Sequence, residues 1–420
     1  MSLDQVENDF NKTIVSADPS AGLWGARYDH KTSALTRRGI AGLNFDLTPE
    51  QLELKAMCRE FARDVISPRA EEWNRAHRFP TQVFRQMGEL GLCGPLVPEE
   101  LGGSAIGMTG YVAAMEELGQ GDQSLAAGWN AHCTIGTLPL LHHGSAEQKR
   151  RWVEPLARGE TIGAFALTEP AGGSDIKGME TRIRYDGAEV VVDGRKTFIS
   201  NAGTDISWGV VTLGRDPAGR YVSVAVPKET PGYSQGDPYL KVGWHALDTR
   251  EQVFDGVRVP ADHIVGDPEM GLRAFLASLD AGRISIAALA VSLAKAALAE
   301  SLAYASNRQA FGQPIAAFQA IQFKLARMAS MIESARLLTY QAAFLYDAGR
   351  PYSKEAAIAK LMASETSTYC ANEAVQIHGG YGYILDSKVA RLYLDSKILE
   401  IGEGTNEIQQ VVIARSLGLR

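Results

Sequence analysis

Residues 166–175 read Ala-Leu-Thr-Glu-Pro-Ala-Gly-Gly-Ser-Asp and stand where the texture of the chain changes. The proline and the paired glycines predict an irregular backbone whose amide groups can approach a ligand closely. Thr168 and Ser174 supply hydroxyl groups near the two ends of the segment. Taken alone, the segment is more commonly explained as an ordinary Gly/Pro turn before a β-barrel.

The chain before this segment is predicted to be helical from Thr48 to about Arg158. Residues 48–51, Thr-Pro-Glu-Gln, place an N-cap, a proline at the first helical position and a glutamine three residues after the cap. Apolar residues then recur near helical spacing.

The chain after it, to about Pro260, alternates short β-branched runs with turn signals, which predicts a small barrel or sandwich. Asp193-Gly194 predicts a hairpin between residues 189–192 and 196–199. A second hairpin is predicted between 207–213 and 221–226, and a closing strand at 254–259.

From Met270 the chain returns to helix. Residues 284–305 are apolar nearly all round, which predicts a buried helix, and further helices are predicted at 318–343, 354–377 and 387–417. Long helices with short connections indicate a four-helix bundle. An α–β–α order without βαβ alternation excludes a doubly wound sheet.

Composition narrows the class of protein. A chain of 420 residues suits two or three domains, and a formal charge of −7 argues against a nucleic-acid surface. We expect no membrane-spanning helix, because no apolar run approaches the required length. Residues 1–43 lack the features of a secretory signal, so a cytoplasmic protein is expected. Four scattered cysteines and eight dispersed histidines indicate neither a metal site nor a disulfide framework.

Two further stretches carry candidate chemistry. In residues 196–201, Lys-Thr-Phe-Ile-Ser-Asn, Phe198 and Ser200 lie two apart and hence on one face of a strand, where they suit a flat heterocycle or simply a half-buried hairpin. Residues 376–382, Gln-Ile-His-Gly-Gly-Tyr-Gly, end a helix with a glycine-rich loop that suits a phosphate or a helix C-cap. Glu403 precedes Gly404 at a break between helices, where a carboxylate can project into a pocket.

Together these stretches resemble the acyl-CoA dehydrogenase family, from about Phe45 to Arg415. Residues 166–175 match its first signature, and residues 376–395 match its second. A third motif, Tyr304-x-x-x-Arg308-x-x-Phe311-Gly312, is followed at the expected distance by Phe318-Gln319. The positions in register in the second signature are Gly379, Gly380, Gly382, Asp386, Arg391 and Asp395.

The resemblance implies an α+β multidomain fold, with an N-terminal helical domain at 44–164, a middle β-barrel at 165–268 and a C-terminal four-helix bundle at 269–420, after an N-terminal extension at 1–43. It implies a homotetramer that binds FAD between barrel and bundle, with the diphosphate end reaching a neighbouring subunit. The residues implied at the isoalloxazine are Phe165, Leu167, Thr168, Gly173, Ser174, Phe198, Ile199 and Ser200. Those implied elsewhere on FAD are Arg308, Phe311, Phe318, Gln319, Gln376, Gly379, Gly380, Thr405 and Glu407.

The resemblance also implies a reaction. Glu403 would remove the α-proton of an acyl-CoA thioester while the β-hydrogen leaves as hydride to flavin N5, giving the trans-2-enoyl thioester. Ser174, Asp280, Arg283 and Gly404 match positions that contact the thioester or the pantetheine arm. Because Asp280 and Arg283 are three apart on a helix, an intrahelical ion pair explains them equally well.

The residues at several positions bear on where the base lies and on which substrate the resemblance implies. Some relatives place the base at the position of Gly282, and glycine there leaves Glu403 in the role. Phe198 stands where many relatives have Trp, Gly402 where Tyr is common, and Leu394 where Arg is frequent. Residues 128–133, with Trp129, Asn130 and His132, are expected either to shape an acyl pocket for a short, branched or oxygenated chain or to pack elsewhere.

The expected electron acceptor is an electron-transfer flavoprotein. Three alternatives stay open: a flavin oxidase that uses O₂, a dehydrogenase acting on carrier-protein thioesters, and a non-enzymatic partner in a hetero-oligomer.

Overall fold

The computed structural model describes residues 47–269 and 271–419, apart from the side chains of 271–277. The predicted extension at 1–43 lies outside the described residues, as do 44–46 and Met270. The described chain passes from helices to strands and back to helices, which confirms the α–β–α order.

The N-terminal part begins with the predicted cap. The Thr48 hydroxyl accepts from the Gln51 N–H at 3.3 Å, and the Gln51 side chain accepts from the Thr48 N–H at 3.1 Å. This reciprocal pairing satisfies two N–H groups that the helix leaves free. The helices are α1 (Pro49–Phe61), α2 (Ala70–Arg75), α3 (Thr81–Glu89), α4 (Gly107–Gly121), α5 (Gln123–Ala131), α6 (Leu138–His143), α7 (Ala146–Gln148) and α8 (Glu154–Ala157). Helices α1, α5 and α7 continue into π-helical turns at Ala62–Ile66, His132–Gly136 and Lys149–Val153.

The middle part is one sheet of eight strands. Along the sheet the order is β6-β7-β3-β2-β4-β5-β8, and β1 pairs in parallel with β4. Val190, Val192, Val210 and Val224 are among the buried residues that form its apolar core. The strands are β1 (Phe165–Ala166), β2 (Arg182–Asp186), β3 (Glu189–Ser200), β4 (Gly209–Arg215), β5 (Tyr221–Pro227), β6 (Tyr233–Gln235), β7 (Thr249–Pro260) and β8 (Ile264–Val265).

The hairpin predicted at Asp193-Gly194 is wrong. Strand β3 runs through this pair unbroken and bonds to β7 on both sides, with a register shift between Val192 and Gly194. A β-carbon on Gly194 would lie 2.5 Å from Thr181 Oγ1, so glycine here allows β3 to lie close to the residue that precedes β2. The turn lies instead between β2 and β3, where Asp186 pairs with Glu189. The second predicted hairpin is confirmed, since β4 and β5 pair antiparallel.

Within residues 271–419, the C-terminal part contains three long helices and three short ones. They are α9 (Gly271–Asn307), α10 (Gln319–Asp347), α11 (Ser353–His378), α12 (Gly380–Tyr383), α13 (Lys388–Ser396) and α14 (Asn406–Ser416), with short strands β9 (Gln309–Ala310) and β10 (Gln313–Pro314) after α9. Helix α9 packs against α10, α11 and α4, so it lies at the centre of the helical core. The last predicted helix is interrupted by a 3₁₀ turn at Lys397–Glu400 and a turn that carries Glu403.

One helix corrects the expectation about membrane spans. By length and mean hydropathy, 1.6, the segment Ser278–Asn307 would suffice to cross a membrane. Two thirds (67%) of its apolar window is buried inside the protein, as is usual for a core helix.

Candidate active site

Glu403 occupies the turn between the 3₁₀ segment Lys397–Glu400 and helix α14. Its backbone is left-handed, with φ +52°, and Gly404 follows with φ +94°. A non-glycine residue adopts this conformation at an energetic cost, and such residues cluster at functional sites. The turn directs the Glu403 side chain towards helices α5 and α9.

The two carboxyl oxygens of Glu403 have different surroundings. Oε1 accepts a hydrogen bond from Asn130 Nδ2 at 2.8 Å, so α5 supplies one partner. Oε2 is buried and accepts no hydrogen bond among the described residues. A β-carbon on Gly282 of α9 would lie 2.0 Å from Oε2, so the carboxyl group fits only because residue 282 is glycine.

Burial controls the charge of this carboxyl group. It raises the pKa of Glu403 to about 8, against the hydrogen bond from Asn130 and the charges of Lys360 and Arg283, which lower it. A carboxyl with a pKa near neutrality is a stronger base than an ordinary one. The site therefore holds a group suited to removing a weakly acidic proton.

Lys360 is a functional candidate that the sequence analysis missed. It is fully buried on α11, and its ammonium donates to Asn406 Oδ1 at 3.0 Å. Burial lowers the pKa of Lys360 to about 8, and the opposing charge of Glu403 is the largest influence that raises it. The signal in the sequence was a single lysine between Ala356 and Ala363 in the buried stripe of a helix.

Two bulky residues of the expected acyl pocket pack elsewhere. Trp129 donates from Nε1 to the Leu92 carbonyl at 2.8 Å. His132 accepts at Nδ1 from the Gly163 N–H at 2.9 Å, so its Nε2 donates to the Cys93 carbonyl at 3.0 Å. Burial lowers the pKa of His132 to about 4, which keeps the ring neutral. These two side chains fasten α5 and the turn after it to the segment that carries Leu92 and Cys93. Among Trp129, Asn130 and His132, Asn130 is the residue that bonds Glu403.

The first signature is held by a buried ion pair. Lys196 of β3 contacts Glu169 at 2.7 Å and also donates to the Leu167 carbonyl at 3.0 Å. Glu169 accepts from the Thr181 N–H, and the Thr197 N–H donates to the Thr168 carbonyl at 2.8 Å. The loop that carries Thr168 is thus fixed to strand β3. Phe165 is buried, Leu167 and Thr168 are half-buried, and Gly173 and Ser174 are exposed.

Phe198 presents an aromatic surface beside this loop. Its backbone is left-handed, with φ +62°, at an irregularity in the β3–β7 register between Lys196 and Ile199. The side chain is 65% exposed, although Ile199 is buried and Ser200 half-buried. The Tyr239 ring lies 5.4 Å away, centroid to centroid. A flat ring system fits this exposed face and the neighbouring hydroxyl groups.

A groove of about 560 Å³ is lined by some of the residues predicted to bind phosphate. Its lining includes Arg308, Gly379 and Gly380, with Tyr304, His378 and Tyr381 among their neighbours. The Arg308 guanidinium lies 5.8 Å from the centre of the Tyr381 ring. The described lining contains no residue of the first signature or of β3.

The remaining predicted residues surround these features. Phe311, 95% exposed, meets Phe318 edge to face at 6.0 Å, and Gln319 and Gln376 are exposed on α10 and α11. Asp280 and Arg283 form the intrahelical ion pair on α9. The Gly404 carbonyl accepts from Gln409, Thr405 caps α14, and Glu407 is exposed in its first turn.

A weakly acidic carboxyl group among helices and an exposed aromatic face on a sheet thus occur in one chain of three-part α–β–α architecture. Models of the N-terminal, middle and C-terminal domains of acyl-CoA dehydrogenase match residues 48–160, 164–257 and 269–418. The chain belongs to the acyl-CoA dehydrogenase family and is an oxidoreductase acting on CH–CH groups. The predicted family and fold class are confirmed.

Three relatives illustrate the similarity. A probable acyl-CoA dehydrogenase, YngJ, of Bacillus subtilis (strain 168) is 47% identical over 89% of this chain and 100% of its own length. The structure of butyryl-CoA dehydrogenase from Megasphaera elsdenii matches with a TM-score of 0.87 and 35% identity, covering 89% of this chain and 100% of that one. An acyl-CoA dehydrogenase from Bacillus anthracis complexed with FAD matches with a TM-score of 0.85 and 30% identity, covering 89% and 67%.

Proposed function

We propose that the protein catalyses the FAD-dependent α,β-dehydrogenation of an acyl-CoA thioester to the trans-2-enoyl-CoA, with Glu403 as the base for the α-proton. The Glu403 carboxyl group, with its buried and unpartnered Oε2 and its raised pKa, is the observation that carries this proposal.

The residues present fit FAD. Phe198 offers an exposed aromatic face. The Ser200 hydroxyl group is two residues further along β3, and Thr168 lies on the loop whose carbonyl bonds the Thr197 N–H. Arg308 and the Gly379-Gly380 backbone share a groove suited to phosphate, because guanidinium and exposed amide groups both bind anions. When bound, FAD would supply the hydride acceptor at N5.

Removal of the substrate α-proton needs only residues of the chain itself. An acyl chain seated beside Glu403 excludes water, which keeps the carboxylate weakly solvated and basic. The ionised Oε2 takes the α-proton as the β-hydrogen leaves with its electron pair, so the substrate loses two hydrogens and gains one C=C bond. Asp280 and Arg283, on the helix that carries Gly282, are proposed to contact the thioester side of the substrate.

The substrate class is proposed to be a short-chain acyl-CoA. The similarity to butyryl-CoA dehydrogenase supports this choice. An electron-transfer flavoprotein is proposed as the acceptor of the electrons, and a cytoplasmic location stays a prediction.

A homotetramer is proposed as the working form. The Arg308 groove adjoins exposed apolar side chains, with Tyr381 at 60% and Ile384 at 49% exposure, and Phe311 is 95% exposed. Apolar surface of this kind is usually covered by a partner. Light scattering should give a mass of four times 45.4 kDa.

Anaerobic titration with a panel of acyl-CoAs tests the proposed function. Butyryl-CoA should bleach the flavin absorbance, octanoyl-CoA and palmitoyl-CoA should do so poorly, and Glu403→Gln should retain FAD without bleaching. Ordinary bleaching of Glu403→Gln would exclude Glu403 as the base. Admission of air then separates the alternatives, because slow reoxidation of the product complex supports a dehydrogenase and rapid reoxidation an oxidase.

A further inference from the structure

We propose that Tyr111 and Asn130 form a hydrogen-bonded positioning relay that orients the Glu403 carboxyl group and favours its ionised form. This inference rests on the function proposed above, since it assigns two positioning residues to the same base.

The relay consists of two consecutive hydrogen bonds. The Tyr111 hydroxyl of α4 donates to Asn130 Oδ1 at 2.9 Å, and Asn130 Nδ2 donates to Glu403 Oε1 at 2.8 Å. Tyr111 and Asn130 are 0% and 2% exposed, so water does not compete for these bonds. A buried hydrogen bond of this kind is stronger than one in water.

The first bond fixes the direction of the second. An asparagine amide can present either its oxygen or its nitrogen to a neighbour. Because the Tyr111 hydroxyl donates, it holds the oxygen of Asn130 and leaves the nitrogen for Glu403. Burial raises the pKa of Tyr111 well above its usual value, so the hydroxyl keeps its proton throughout the working range.

The aromatic neighbour holds the relay in place. The Tyr111 ring stacks on Trp129 with centroids 4.7 Å apart and an interplanar angle of 17°, and Trp129 is tied to the Leu92 carbonyl. Asn130 follows Trp129 directly, so the stacked pair fixes the helix turn from which Asn130 projects. This explains why a bulky tryptophan stands next to the site without facing the base.

Helices α5, α9 and α11 bring the groups that lower the pKa of Glu403, and α4 brings the Tyr111 hydroxyl near it. Asn130 comes from α5, Lys360 from α11 and Arg283 from α9. The cations act through space, whereas Asn130 makes the direct bond to Oε1. With Oε1 held by Asn130 and Oε2 facing Gly282, the carboxyl plane is restrained at both oxygens.

Loss of the donor should disfavour the carboxylate. A hydrogen bond to the charged form lowers the pKa of an acid, so Asn130→Asp, which has the same shape and adds a negative charge, should raise the Glu403 titration midpoint by at least about one pH unit. Tyr111→Phe removes one hydroxyl only and should raise the midpoint by roughly half a unit. Tyr233→Phe is a matched control, because Tyr233 is also buried and donates to Gln252 Oε1 at 2.7 Å in the distant sheet.

The test uses the FAD-loaded enzyme in two measurements. Infrared difference spectra, with Glu403→Gln as reference, follow the Glu403 carboxyl group through a pH titration without substrate. Stopped-flow flavin reduction by butyryl-CoA gives the pH midpoint of the rate. We expect both midpoints to rise in Asn130→Asp and Tyr111→Phe and to stay unchanged in Tyr233→Phe. Asn130→Leu, which removes the donor without adding a charge, should raise both midpoints as well.

The outcomes separate this inference from the proposed function. Unchanged infrared midpoints in Asn130→Asp and Tyr111→Phe overturn the relay, as does a uniform loss of rate at every pH. The proposed function is contradicted if no acyl-CoA reduces the flavin of the wild-type enzyme although Glu403 titrates as expected. In that case the infrared midpoints of the variants still decide whether the relay exists. If Asn130→Asp does not fold, Tyr111→Phe and Asn130→Leu decide the question.

Discussion

Gly282 and Glu403 fit against each other so closely that a β-carbon on residue 282 would lie 2.0 Å from Glu403 Oε2. Gly282→Ala should therefore displace the carboxyl group while strengthening helix α9, since alanine favours helix over glycine by about 1 kcal/mol. We expect flavin reduction by butyryl-CoA to fall roughly 100-fold, because a displacement of about 1 Å has that effect on a reacting group. FAD content should be unchanged. The control is Gly110→Ala, whose nearest new neighbour would be an Ile106 side-chain atom at 3.1 Å; an equal loss in both variants would contradict the explanation.

The rate of flavin reduction should rise with pH through about 8. The reaction needs ionised Glu403, and burial places the pKa of this group near that value in the free enzyme. Anaerobic stopped-flow measurements between about pH 6 and 10 give the midpoint. A rate that is constant from pH 6 upwards would show that the carboxyl group is already ionised there.

The same carboxyl group should weaken the fold at high pH. Its pKa in the folded chain lies above the ordinary 4.5, so the folded state holds the proton more tightly and stability falls as pH rises from 4.5 through 8. Glu403→Gln removes this penalty and should be more stable than wild type at pH 9 by a few kcal/mol, with a smaller difference at pH 6. Urea unfolding at both values measures the change. A stability advantage of Glu403→Gln over wild type that is greater at pH 6 than at pH 9 would contradict this prediction.

Lys360 should favour the ionised form of Glu403 through its positive charge. Lys360→Met removes a buried cation and the hydrogen bond to Asn406 at the start of α14. The pH midpoint of flavin reduction should rise by about one unit, because the loss of an opposite charge disfavours the carboxylate. Lys324→Met serves as control, since Lys324 pairs with Glu373 and is 33% exposed. A midpoint that moves equally in both variants would point to a general effect of net charge.

The Glu169–Lys196 pair should be required for the flavin loop. Glu169→Ala leaves Lys196 buried without its counter-ion, which destabilises by about 3–5 kcal/mol, and frees the loop that carries Thr168. We expect a lower melting temperature and loss of FAD, with partial recovery of stability in the double variant with Lys196→Met. Asp186→Asn breaks an exposed pair with Arg258 and should change stability by less than about 1 kcal/mol. Full FAD content in Glu169→Ala would refute this role of the pair.

Local signals in the sequence predicted local structure well. The capping box at Thr48 and the hairpin of β4 and β5 formed as predicted, because each depends on residues a few positions apart. The Asp193-Gly194 prediction failed because pairing of β3 with the distant β7 outweighs a local turn preference. A two-residue turn signal cannot show which distant strand will pair with β3.

The site was predictable only in part, because short motifs do not show contacts between segments that are distant in sequence. Motifs pointed to Glu403, yet its partners Asn130 and Lys360 come from helices far away in sequence. Trp129 and His132 were expected as one possibility to shape the pocket, but their hydrogen bonds to the Leu92 and Cys93 carbonyls turn them away. Only the packed structure distinguishes neighbours on one helix that face opposite ways.

The contact between Gly282 and Glu403 also restricts the evolutionary routes open to this enzyme. A lineage that moved its base onto α9 would have to displace the Glu403 carboxyl group when residue 282 gained a side chain, since Oε2 lies where that side chain would begin. A duplicated gene, free for a time from selection, would be the natural place for such a change to begin.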